Sequence, residues 1–195
     1  ATLGGGYVDK LLWDNELITT YFQRNSQLLA TYKGNNSGTD LESELRSHTD
    51  YDYSRTSTIS DIAMPATPGI NKRYYYFNQS HSATYNQVFR VGKNGELGIN
   101  AAYLNDRDER SNQSVTTTLL PDGSKNVVDE SFNGILHRNI ANGNITYMQN
   151  TERNYIKEQL KFDWLSTDGY SNIYAGEDII QENNVENYRL HNLFH

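Results

Sequence analysis

Side chains able to do chemistry are spread thinly along this chain. The five histidines are His48, His81, His137, His191 and His195. No two stand four apart on a helical stretch, the spacing that turns two imidazoles toward one metal ion. His191 and His195 have the interval, but within a β-like pattern at the end of the sequence. They read as solvated or strand-facing. There is no nucleophile elbow, no zinc-protease helix motif and no phosphate-binding loop. With no Cys, thiol nucleophiles and thiolate metal sites are absent too. Acidic groups cluster at Asp106-Arg107-Asp108-Glu109-Arg110, at Asp50 with Asp52, and at Glu177-Asp178. Two carboxylates roughly 5–9 Å apart serve glycoside hydrolysis, but the sequence fixes no such separation. The interleaved Arg107 and Arg110 point instead to a solvated, mutually paired strand end. Asp122-Gly123-Ser124-Lys125-Asn126 departs from the calcium-loop spacing. The expectation is no catalytic residue, no metal and no cofactor.

Tyrosine is the more informative residue, at 15 against 6 Phe and 2 Trp. Tyr74, Tyr75 and Tyr76 in succession put rings on both faces of a strand. Three readings stand side by side. One is an aromatic girdle at a membrane–water boundary, where an amphipathic ring is stable. Another is a stacking platform for sugars. The third is ordinary sheet, since Tyr is a good strand former. With Tyr51 and Tyr53, these three residues are the candidate ligand contacts.

The elements that must position them are strands. Hydrophobic residues make up 36% of the 195 residues, and mean hydropathy is -0.77. The sequence holds 23 Asn, 16 Thr and 15 Ser. Its aromatic and β-branched content separates it from disordered chains. No apolar run approaches the ~20 residues of a membrane helix, whereas alternating barrel strands escape hydropathy. The net charge of -7 argues against nucleic acid as a partner and against docking on anionic lipid. The sequence opens on Ala-Thr-Leu-Gly without a signal peptide. It closes inside an apolar pattern, as expected for a piece of a longer protein.

Period-2 alternation dominates. Residues 16–22 and 27–33 read as a hairpin around Gln23-Arg24-Asn25-Ser26. Residues 34–69 lose the pattern and predict a long loop, with a short helix near Leu41 to Arg46. Strands follow at 73–78 and 82–91. Gly92-Lys93-Asn94-Gly95 is the strongest turn signal, and 96–106 is the return strand. Residues 115–120 and 125–132 pair across Pro121-Asp122-Gly123-Ser124. A strand over 136–148 carries an expected bulge at Ala141-Asn142-Gly143. A turn at 150–154 leads to a strand over 155–164, and Ser166 to Gly169 turns the chain again. In 155–164, Ile156, Leu160, Phe162 and Trp164 share one face, which Glu158 interrupts once. The other takes Tyr155, Lys157, Gln159, Lys161 and Asp163. The prediction is an all-β antiparallel meander of about eight long strands, with tight turns at one end and long connections at the other. That is the layout of an outer-membrane barrel.

Three stretches carry a resemblance: ELITTYFQRNSQLLATYKGNNSG (16–38), YYFNQSHSATYNQVFRVGKNGELGINAAYLND (75–106) and ITYMQNTERNYIKEQLKFDW (145–164). In them the chain resembles the barrel region of Bacteroidetes outer-membrane TonB-dependent receptors, of the type with a carboxypeptidase-like regulatory domain. The resemblance implies a partial barrel in the bacterial cell outer membrane that takes up a ligand in the full-length protein. Its partners would be outer-membrane lipid and the rest of the barrel. An energising periplasmic partner would act only through regions absent from these residues. Such a slice would also self-associate through its open edges. Leu97, Ile99, Ala101, Ile156, Leu160 and Phe162 would face lipid. Asn100, Lys157, Gln159 and Lys161 would face a lumen, and loop 34–69 the exterior. The alternatives are a soluble all-β glycan-binding or adhesin-like module and, after it, an all-β hydrolase.

Overall fold

The structure, a computed structural model, describes residues 1–8, 10–42, 63–67, 69–70 and 77–194. It is all-β: one antiparallel sheet of eight strands in the order of the sequence. These are β1 (Thr2–Val8), β2 (Lys10–Gln23), β3 (Ser26–Asn35), β4 (Phe77–Val91), β5 (Gly95–Leu119), β6 (Lys125–Asn150), β7 (Tyr155–Ala175) and β8 (Asp178–Phe194). The sheet is open, since β1 and β8 are not paired with each other.

Three tight turns lie at one end. Arg24-Asn25 joins β2 to β3, Gly92 to Asn94 joins β4 to β5, and Thr151 to Asn154 joins β6 to β7. Adjacent turns touch through backbone bonds: Arg90 N donates to Asn25 O (2.9 Å), and Asn150 N donates to Asn94 O (3.0 Å). The connection over 36–76 leaves from the opposite end, as the alternation requires. Short connections are not confined to the first end as expected: the opposite end also holds the two-residue β7–β8 turn at Gly176-Glu177 and the five-residue β5–β6 loop from Leu120 to Ser124. The left-handed glycine of the β4–β5 turn is Gly92 (φ 66°), not Gly95, which already belongs to β5.

The strand count agrees with expectation, but its division differs. The strands expected at 96–106 and 115–120 are one strand, β5, and those expected at 125–132 and 136–148 are one strand, β6, so that β5 and β6 run 25 and 26 residues in one continuous ladder. Polar Asp106 to Ser114 looks like a connection in sequence. In the sheet every one of these residues has a cross-strand partner. Ser166 to Gly169 does not turn the chain; it lies inside β7, paired to both β6 and β8. Ala141 to Gly143 keeps unbroken register on both sides and is not a bulge. The irregularity falls at Ile173/Tyr174. Residues 2–8, rich in Gly, form a strand that periodicity alone does not reveal. Gly34 and Asn35, assigned to the loop, end β3. Leu41 and Glu42 have helical backbone; the rest of the expected helix lies outside the described residues.

Cross-strand partners share a face. One face therefore carries Tyr21, Leu28, Tyr32, Tyr85, Leu97, Ile99, Tyr103, Ile145, Leu160, Phe162 and Leu190. The other carries Lys33, Asn35, Ser80, Thr84, Asn100, Asp106, Arg138, Asn144, Gln159, Lys161 and Asp163. We call these the apolar and the polar face. The grouping within 155–164 follows the expected alternation.

Candidate functional site

Burial is inverted with respect to a domain that hides its apolar side. On the apolar face Leu160 is 45% exposed, Phe162 42%, Leu17 50% and Leu190 51%. On the polar face Asn35, Asn78, Ser80, Asp106 and Asp108 are buried. The few buried aliphatics, Ala102, Leu104, Ile140 and Leu165, also lie there, joined by Leu41. What covers them is the β3–β4 connection. Its described parts, 36–42 and 63–67, fold back over the polar face. Met64 sits above Gly134, where an added Cβ would stand 2.7 Å from the Met64 sulfur, and Pro65 is fully buried.

The buried polar side chains form one network. Alternation on β4 aims Asn78, Ser80 and Ser82 at the polar face. The same alternation on β5 aims Asp106, Asp108 and Arg110 there, and sends Arg107 and Glu109 to the other side. Gly38 N donates to Asn78 Oδ1 (2.9 Å). Asn78 Nδ2 donates to Asn35 Oδ1 (2.9 Å), Thr39 O (3.2 Å) and Ser80 Oγ (2.7 Å). Ser80 Oγ donates to Asp106 Oδ1 (2.6 Å). Arg138 on β6 then bridges two carboxylates, Asp106 on β5 and Glu42 on the connection, each at 2.7 Å. Arg110 pairs with Asp108. Burial of these charges is tolerable because each carboxylate meets a guanidinium or a hydroxyl donor.

The acidic cluster is thus mutually paired in part, through Arg110–Asp108 and Arg107–Glu109 (3.1 Å). It is not solvated throughout, since Asp106 and Asp108 lie beneath the connection. The carrying residues Asn35, Glu42, Asn78, Ser80 and Arg138 escape the sequence reading. Their signal is small polar residues at every second position over 78–82, opposite acids at 106 and 108. Assigning 78 and 82 to separate strands hides it. Tyr51, Tyr53, Tyr74, Tyr75 and Tyr76 lie outside the described residues.

Toward the tight turns the polar face continues as an amide-rich track. Asn86, Asn100, Asn144 and Lys161 form one cross-strand row, and Gln159 donates to Asn144 (2.9 Å). On the apolar face Trp13, Tyr32 and His81 cluster where the apolar rows end. The Trp13 and His81 ring centroids are 5.3 Å apart, and Tyr32 Oη meets His81 Nδ1 at 2.8 Å. Among the described residues, no three metal-ligating side chains converge.

No family model, curated protein or solved structure matches the chain.

Proposed function

We propose that this chain is part of the wall of an outer-membrane β-barrel receptor or transporter, of the TonB-dependent type it resembles, and that it binds and passes a ligand rather than catalysing a reaction. The observation that carries this reading is the inversion of the faces. A sheet surrounded by water buries its apolar side, because each Leu or Phe withdrawn from water stabilises the fold by about 1.5–3 kcal/mol. Here the covered part of one face is mostly polar around a small aliphatic cluster, and Ile18, Phe22, Leu29 and Val88 are exposed on that face as well. The other, the broad face of Leu, Ile, Phe and Tyr, is left bare. Lipid is the surrounding that makes such a face stable, and a closed antiparallel barrel leaves no backbone group unpaired within it.

Two further features support the reading. Ile156 to Trp164 spans the apolar rows of β7, interrupted on that face by Glu158, and this length fits the roughly 9–11 residues that cross a bilayer as a tilted strand. Rings with polar heads stand at both margins of the apolar rows. Tyr21 and Tyr147 are near one end, and Trp13, Tyr32, Tyr103 and Tyr188 are toward the other. This is the girdle arrangement of membrane barrels. In this reading β1 and β8 continue into further strands. The turns at 24–25, 92–94 and 151–154 face the periplasm, the connection over 36–76 and the β7–β8 turn lie on the exterior side, and the amide track lines the lumen.

The test uses single-Cys variants, clean here because the sequence has no Cys. Leu160→Cys and Gln159→Cys are compared in the full-length protein inserted in lipid vesicles. In the bilayer position 160 should resist a water-soluble maleimide and position 159 should react. Rapid labelling at 160 in vesicles would overturn the proposal and favour a soluble glycan-binding or adhesin-like module.

A further inference from the structure

On the apolar face the apolar rows stop at one register line. Tyr32, Ala83, Tyr103, Ala141 and Trp164 form the last of them. The next row toward the long connection holds Gly34, His81, Asn105, Asn139 and Ser166. An amide facing hydrocarbon goes without the hydrogen bonds that water supplies, so this row marks the level where lipid heads begin.

The row is more than a boundary. An added Cβ at Gly34 would stand 3.0 Å from both Trp13 Cζ3 and Tyr32 Oη, and 3.1 Å from His81 Nδ1. Three side chains thus lean together over bare glycine backbone, with the Trp13 and His81 rings tilted by only 32° to each other. Beside them, Asn139 Oδ1 accepts from Tyr103 Oη (3.0 Å) and from Asn105 Nδ2 (2.7 Å). These bonds fix both amides and leave Asn139 Nδ2 as a donor and Asn105 Oδ1 as an acceptor. Among the described residues neither atom has a partner, nor do Trp13 Nε1 and His81 Nε2. A ring platform beside fixed, uncommitted amide groups is the chemistry that holds a sugar. The C–H face of the sugar packs on the ring, and its hydroxyls meet the donors and acceptors.

We propose that this cluster binds the uncharged sugar head of a glycolipid in the outer leaflet, an inference that rests on the lipid-facing assignment of the apolar face. Three observations select this occupant. First, the apolar rows begin directly beneath the cluster, so the tail and head of one amphiphile meet the two surfaces in order. Second, Gly34 and Asn139 lie three strand spacings apart, about 14 Å, which is long enough for a disaccharide. Third, the charges nearby do not suit a phosphate. Arg107, one row outward, pairs with Glu109 (3.1 Å), and Asp168 and Glu186 stand in the same row as Arg107.

The experiment uses the full-length protein in phosphatidylcholine vesicles that carry equal minor amounts of diglucosyl diacylglycerol and phosphatidylglycerol. The protein is extracted in mild detergent, and the lipids that copurify are counted by mass spectrometry. Diglucosyl diacylglycerol should be enriched about tenfold over phosphatidylcholine, the effect of one or two net hydrogen bonds. Trp13→Ala should abolish the enrichment. Asn139→Asp should do so too while keeping the oxygen that accepts from Tyr103 and Asn105, so its loss reports the missing donor rather than a collapsed cluster. Tyr147→Ala, at the other margin of the apolar rows, should leave the ratio unchanged. Excess free methyl glucoside should leave the lipid bound; its displacement would overturn the lipid source in favour of a soluble sugar. No enrichment, preference for phosphatidylglycerol, or an equal loss in Tyr147→Ala would overturn the proposal. Labelling of Leu160→Cys in the same vesicles separates the two readings. A protected position 160 without enrichment refutes the sugar site alone, whereas rapid labelling at 160 refutes the membrane assignment and the site with it.

Discussion

Asn36 shows how one side chain stands in for a peptide group. Its N–H donates to Trp13 O (3.1 Å), its Nδ2 donates to Leu11 O (2.9 Å), and its Oδ1 accepts from Trp13 N (2.7 Å). The β2–β3 ladder thereby runs one step past the end of β3. Asn36→Ala removes two of these bonds and should lower stability by about 1–2 kcal/mol, read as a lower denaturant midpoint with unchanged slope. An unchanged midpoint would mean that water replaces the amide at no cost. Gly169 is constrained by space instead. An added Cβ would stand 2.6 Å from the Ile135 carbonyl oxygen, and backbone cannot swing aside as a side-chain tip can. Gly169→Ala should cost at least about 2 kcal/mol, whereas Gly98→Ala, with 3.9 Å to its nearest neighbour, should cost little. Asp122, in the β5–β6 turn, is held below the ordinary carboxylate range by hydrogen bonds from the Ser124 hydroxyl and backbone N–H. A depressed carboxylate contributes stability that is present above its unfolded value near pH ~4 and is lost as pH falls through the folded value. An NMR titration of Asp122 should show the depression, and Ser124→Ala should bring the value back up. Equal values in both proteins would remove Ser124 as the cause.

Strand identity was legible where alternation is clean, and strand extent was not. In β7, residues 155–164 alternate apolar with polar except at Glu158, and the structure keeps that grouping. Leu160→Arg on the apolar face should cost about 2–4 kcal/mol near a bilayer midplane, and Gln159→Arg should cost little. Similar losses for both, measured by unfolding from vesicles, would contradict a lipid-facing position 160. Beyond 164 the same strand continues through Ser166, Thr167, Asp168 and Gly169, residue types that locally favour turns. Their cross-strand partners on β6 and β8 override that preference, and no local pattern reports partners so distant in sequence. The candidate site was invisible for a related reason. It joins the ends of β3 and β4 and the middles of β5 and β6 with a connection, and each contributes one or two unremarkable residues. The outer part of the β5–β6 ladder is different again. From Val115 to Asp129 each strand is paired only to the other, and Val115, Leu119 and Val127 are exposed. An isolated two-stranded ribbon is marginal in water. Excising residues 115–129 in favour of an Asn-Gly turn should therefore change the unfolding free energy by less than about 1 kcal/mol. A larger loss would show that the ribbon supports the sheet.

At the scale of the whole molecule, an open sheet with a bare apolar face presents two kinds of unsatisfied surface. The outer edges of β1 and β8 offer unpaired backbone groups, and the apolar face offers area that water disfavours. In detergent-free buffer the chain should associate, with light scattering giving a mass well above 22.3 kDa, and detergent should reverse this. A stable monomer in plain buffer would count against the lipid-facing assignment. The strictly sequential strand order carries a different consequence, one of timing. Every strand pairs with its neighbours in sequence, so most of the sheet can assemble by adding one hairpin to the last, each closed by a short loop. The β3–β4 junction is the exception. Closing residues 36–76 costs about 2–3 kcal/mol more chain entropy than closing a two-residue turn. Two nuclei, β1–β3 and β4–β8, should therefore form first and meet late, and the rate of their meeting should respond to the length of that one connection while the rates within each half do not.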